Sequence, residues 1–114
     1  MDLTKIREQI DLIDDKIADL YGERMQLVKQ VSEAKKQSGK AVADPDRERN
    51  ILLRVTERVE EDMQVYLKRT FETMFETSKA YQTMNAEYKT ELGEKIKGAI
   101  AKGELKFPIK AKVA

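Results

Sequence analysis

Arg24 falls four residues after Leu20 and three before Leu27, and Lys35 falls four after Val31. In a helix those spacings place both cations on the face that carries the three apolar side chains. Eleven residues at about 100° each return Lys35 to within roughly 20° of Arg24, about 16 Å further along the axis. Two long cationic side chains leaning together can grip one small anion between them. The alternative is that each snorkels to water from the edge of the stripe. The spacing alone leaves both readings open.

Polar residues sit on the later apolar stripes as well. Glu48 stands four before Leu52, with Asp44 one turn earlier. A carboxylate at such a place accepts a hydrogen bond from a ligand hydroxyl, or simply suits the positive end of a helix dipole. Arg47 is either a surface ion-pair partner or a ligand contact. Ser78 and Gln82 extend the spacing Phe71, Phe75, either as a helix-packing hydrogen bond or as the lining of a polar pocket. Taken together, two cations, a carboxylate, a hydroxyl and an amide lie on the inward faces of three predicted helices. Buried cations without partners cost several kcal/mol each, and a bound dianion satisfies them. The pattern describes a pocket for a small acidic molecule.

Two missing residue types narrow the chemistry. The 114 residues contain no Cys and no His. Thiol nucleophiles, thiolate metal sites and disulfides are excluded, and the commonest general base and metal ligand is missing. No metal site and no cofactor is expected. A net charge of +1 gives no sign of a nucleic-acid or membrane binder. No apolar run approaches the roughly 18 residues of a membrane span. The opening MDLTKIREQ lacks a signal-peptide pattern, so a cytoplasmic location is the expectation.

The elements that must position these residues are helices. Charged residues make up 38%, with five Gly and two Pro, a composition of long amphipathic helices. The first predicted helix runs from about Leu3 to Ser38, with Ile6, Ile10, Ile13, Ile17, Leu20, Leu27 and Val31 at helical spacing and Gly39 at the C′ position. At roughly 50 Å it exceeds the diameter of so small a globule, so part of its apolar face must be covered by another chain. The second helix opens on Asp44 as N-cap and Pro45 as first residue. The run Glu60-Glu61-Asp62 marks a short connection, with Asp62 placed to cap the third helix, about Met63 to Leu92, which Gly93 is placed to end. The expected division is a domain over 1–92 and a basic tail or linker over 93–114, carrying a further turn or two of helix before Gly103 and Pro108.

With these residues in hand the chain resembles the all-helical chorismate mutases, and most of all the N-terminal mutase domains of bifunctional mutase–prephenate dehydratases. The resemblance rests on LTKIREQIDLIDDKIADLYGERMQLVKQVSEAKK, on VADPDRERNILLRV and on FETSKAYQ, over about residues 3 to 90. The connection between the second and third segments is slightly shorter than in familiar members, and the tail lies outside the likeness. The resemblance implies an all-α fold of three helices per chain, with two long first helices crossing in an intertwined six-helix homodimer. It also allows a fused dehydratase domain in the natural protein.

The resemblance further implies a cofactor-free conversion of chorismate to prephenate, an intramolecular Claisen rearrangement that an enzyme without His or Cys can perform. It implies that Arg24 grips one substrate carboxylate, that Lys35 meets the ether oxygen and a carboxylate, and that Gln82 donates to the ether oxygen. Glu48, with backbone help near Arg47 and Asp44, would hold the ring hydroxyl, and Ser78 would support a carboxylate. Arg7 would reach into the partner chain's site. It lies about 25 Å before Arg24 and roughly 100° round the helix, a poor place from which to serve the same pocket. Two other readings stand beside this one. An isochorismate pyruvate-lyase-like enzyme uses related groups on the same fold, and residues between Lys35 and Asp44 would decide. A non-enzymatic helical dimerisation module explains the amphipathic helices but not the polar residues on their inner faces.

Overall fold

The computed structural model describes residues 2–83 and 89–103. The described residues are all-α and form four helices, where three were expected: α1 Leu3–Ser38, α2 Pro45–Thr56, α3 Glu61–Thr83 and α4 Lys89–Lys102. They fall into two compact units, residues 1–40 and 41–114.

The first unit is the single helix α1 of 36 residues, about 54 Å long at ~1.5 Å per residue. Its ends are written in its caps. The Asp2 side chain accepts from the Thr4 N–H at 2.9 Å. At the far end Gly39 takes the left-handed conformation, φ 71°, that a side chain would strain, and its N–H donates to the Lys35 carbonyl. Lys35 and Lys36 in the last turn suit the negative end of the dipole. The apolar stripe read from the sequence is uncovered here. Ile10, Ile13, Ile17, Leu20, Leu27 and Val31 are 46–62% exposed. A unit made of one helix has nothing of its own to lay against them.

The second unit is organised by the helical hairpin α2–α3. Asp44 caps α2, its side chain accepting from the Arg47 N–H at 3.1 Å, and Pro45 occupies the first turn. The connection is Glu57–Glu60, closed by Arg58 N–H to the Val55 carbonyl at 3.0 Å. So short a link makes the two helices packing neighbours. Their core is Ile51 and Val55 of α2 against Phe75 of α3, with Leu52, Leu67 and Phe71 beside it. Phe71 and Phe75 meet edge to face, ring centroids 6.1 Å apart.

Two expectations about boundaries are corrected. Asp62 does not cap α3, which already begins at Glu61 and carries both acids in its first turn. Gly93 does not end a helix either. It lies inside α4, which runs on to Lys102, where Gly103 at φ 69° closes it, while α3 is described as far as Thr83. Each glycine inside a helix costs only about 1 kcal/mol, and α4 accommodates two, Gly93 and Gly98, among helix formers. Pro108 and the rest of the expected tail from residue 104 lie outside the described residues. Among the described residues no helix is long and apolar enough to cross a membrane.

Candidate active site

α1 carries three of the expected residues. Arg24 and Lys35 are half-buried, along with Tyr21, Met25, Val28 and Ser32. These six positions recur at three, one, three, four and three, so they form one face of the last four turns. Arg24 and Lys35 are therefore withdrawn together from water on one side of α1, three turns apart. Arg7, near the start of the helix, is exposed.

The hairpin carries the other five. Asp44 and Arg47 are exposed, and the Asp44 carboxylate is engaged as the helix cap. That cap sets the first turn of α2 and with it the direction of Glu48, one turn further on. Glu48 is half-buried, and its Oε2 lies 3.4 Å from Nζ of Lys79 on α3. Ser78 is 6% exposed and donates from Oγ to the Met74 carbonyl at 2.8 Å. Gln82 is half-buried with its Oε1 withdrawn from solvent. The structure thus brings Glu48 to the same stretch of hairpin as Ser78 and Gln82, because residue 79 is flanked by both.

Lys79 was missed by sequence reasoning. Its signal was slight: four residues after Phe75 and three before Gln82 it shares their face, yet a Lys beside a core position usually reads as a solvated flank. Only the packing of α2 on α3 shows that it meets a carboxylate.

The hairpin therefore presents a carboxylate–ammonium pair, a buried hydroxyl and a half-buried amide, and α1 presents two half-buried cations. None of these is a nucleophile activated by a base. Groups of these kinds can bind anions and hydroxyls by charge and hydrogen bonding.

Comparison with known proteins gives the family. The family model described as Chorismate mutase type II matches residues 6–83, which takes in every candidate residue. The chain belongs to the chorismate mutase type II family. A curated chorismate mutase of Methanocaldococcus jannaschii is 40% identical over 83 residues, covering 70% of this chain and 83% of that protein. No solved structure gives a significant match. The chain is accordingly a chorismate mutase, an isomerase of aromatic amino acid biosynthesis. The match ends at Thr83, the last residue of α3, so α4 lies beyond it.

Proposed function

We propose that this mutase converts chorismate to prephenate by holding its substrate in a compact, chair-like shape and stabilising the negative charge that grows on the ether oxygen. The observation that carries the reading is the pair Arg24 and Lys35, half-buried on one face of α1 in a chain of this family. Half-buried cations three turns apart suit a ligand with two carboxylates better than they suit a packing surface. The rearrangement breaks one C–O bond and forms one C–C bond within a single molecule. It moves no proton, so the want of His and Cys is no obstacle.

On this reading the work divides between orientation and charge. Arg24 binds a substrate carboxylate, and a flexible dianion fixed at its carboxylates loses the extended shapes that cannot react. Lys35 and Gln82 donate to the ether oxygen, where the charge develops, and a preorganised donor there lowers the barrier. Glu48 accepts from the ring hydroxyl, and the start of α2 at Asp44 and Arg47 supports it. Ser78 gives a carboxylate only minor support, since its hydroxyl proton goes to the Met74 carbonyl. Gln82 suits its task because an amide donates at any ordinary pH.

The functional unit is a homodimer with shared sites. Support comes from α1: a stripe of Ile, Leu and Val from Ile10 to Val31, about six turns, is exposed in the single chain, and a contiguous apolar surface of that length is a mark of a partner. A second copy of the same helix has a matching stripe, and a two-fold pairing is self-complementary. Arg7 then serves the partner's substrate. The product feeds phenylalanine synthesis, either from a free mutase or from one joined to a dehydratase, and the reaction proceeds in the cytoplasm.

The deciding experiment follows the loss of chorismate by ultraviolet absorbance and identifies the product. Prephenate as sole product supports the reading. Release of pyruvate would move the chain to the lyases of the same fold, and no turnover by a folded dimer would leave a helical dimerisation module.

A further inference from the structure

Lys79 has no part in the roles above, yet it ties α3 to the residue on α2 that is to read the ring hydroxyl. Its Nζ lies 3.4 Å from Glu48 Oε2, and the two side chains are only 33% and 28% exposed. The ion pair between Arg49 and Asp46 makes a useful contrast. It lies within one helix, with side chains 66% and 86% exposed. Exposed pairs of that kind contribute little and are screened by salt. The pair between α2 and α3 is about two-thirds withdrawn from water and anchored on both sides by the Ile51–Val55–Phe75 core. Its charges are screened less, and its geometry is held by the packing of two helices.

The substrate class explains what such a pair is for. Glu48 must offer a carboxylate to a molecule that already carries two. A bare carboxylate repels that dianion, whereas a neutral amide in its place would be a weaker acceptor for the hydroxyl. A carboxylate whose charge is cancelled by an ammonium on its far oxygen avoids both faults. The ion pair engages Oε2, and the carboxylate keeps lone pairs with which to accept from the hydroxyl.

We propose that Lys79 is a positioning residue that holds and neutralises Glu48, so that a carboxylate can recognise the ring hydroxyl of a dianionic substrate. The inference rests on the mutase reading above. It places the contribution of Lys79 in substrate binding and routes all of it through Glu48.

The test is a double-mutant cycle on the full chain with chorismate as substrate, using Lys79→Met, Glu48→Gln and the double variant, with Lys79→Arg as rescue. Lys79→Met is expected to raise KM by roughly three- to tenfold with kcat within about twofold of the parent. Lys79→Arg should restore most of the loss. In the Glu48→Gln background the same Lys79→Met change should alter KM by less than about twofold, because no charge remains to be held. An equal rise in both backgrounds would overturn the proposal, since Lys79 would then act on the substrate itself. An unchanged KM in the single variant would overturn it too, reducing the pair to a helix clasp. Circular dichroism and thermal melting establish folding. Should Lys79→Met fail to fold, Lys79→Gln supports the same cycle with a polar end. A parent without turnover would sink the mutase reading and this inference together, whereas equal effects in an active parent overturn the inference alone.

Discussion

The Ser78 hydroxyl donates to the Met74 carbonyl at 2.8 Å, one turn back along α3. The proton that would meet a substrate carboxylate is thus directed into the helix, and Ser78 is 6% exposed. A hydroxyl bonded back to its own helix adds little to stability and is easily replaced by a methyl group. Ser78→Ala should therefore change unfolding free energy by less than about 1 kcal/mol in urea titrations. Its kcat/KM should fall by less than about tenfold, well under the loss from removing a charged substrate contact. A loss of a hundredfold in a folded dimer would mean that the hydroxyl turns outward to the substrate.

Two glycines of α1 should respond oppositely to the same change. Gly22 stands two residues, or about 200°, from Leu20 and so on the face away from the apolar stripe, and a Cβ added there meets nothing within 4 Å. Gly22→Ala should stabilise the protein by about 0.5–1 kcal/mol per chain, with turnover unchanged. Gly39 also has open space but sits at φ 71°, where an L side chain is strained. Gly39→Ala should destabilise by about 1–2 kcal/mol. Thermal melts of the two variants beside the parent check both signs, and a shift in the same direction for both would contradict the argument.

α1 shows how far a sequence reading reaches. Its limits agree with expectation at both ends because Asp2 and Gly39 bracket an unbroken periodic stretch, and caps are local chemistry. Asp44-Pro45 made the start of α2 equally readable. The connection to α3 was misplaced because Glu60, Glu61 and Asp62 suit a first helical turn as well as a loop, while the actual turn, Glu57–Glu60, contains no Gly, Pro or Asn to announce it. Glu48, Ser78 and Gln82 could be singled out because each interrupts an apolar stripe on its own helix. The partner of Glu48 could not, since it depends on how one helix packs on another, and periodicity records only the face of a single helix.

The exposed stripe of α1 leads to a test in which monomer and dimer predict effects of different size. Leu20 is 62% exposed in the single chain. If the chain works alone, Leu20→Asp is a surface change worth less than about 0.5 kcal/mol. If two copies bury the stripe, the same change places a carboxylate in an apolar interface. Sedimentation equilibrium of the parent at micromolar concentration should give about twice 13.2 kDa, and Leu20→Asp should shift it toward the monomer with loss of activity. Mixed subunits extend the test. Arg7→Ala and Arg24→Ala should each be nearly inactive alone, yet refolding them together should restore some turnover, because one site of the heterodimer keeps both arginines. No recovery in a mixture shown to contain heterodimers would assign Arg7 to its own chain's substrate.

Gln82 separates binding from catalysis. Gln82 is half-buried on the inner face of α3, one turn after Ser78, with its amide oxygen withdrawn from solvent. A neutral amide donates to an ether oxygen at any ordinary pH. A carboxylate of the same shape repels the growing negative charge and donates only when protonated. In Gln82→Glu the introduced carboxyl would sit in a half-buried place beside a dianion, and both burial and like charge favour its protonated form, so its pKa should stand above the ordinary glutamate range. Activity should therefore be low near pH 7.5 and rise as pH falls through that raised pKa, opposite in sign to what ionisation of a needed carboxylate would produce. A charge-stabilising donor of this kind contributes about 3–4 kcal/mol in the transition state, which is a loss of roughly 10²–10³ in kcat for the ionised variant. The loss should fall mainly on kcat, because the interaction strengthens as charge develops. A pH–rate profile of variant and parent, taken where both stay folded, decides the matter. Parallel profiles would make Gln82 a packing residue and leave Lys35 as the donor to the ether oxygen.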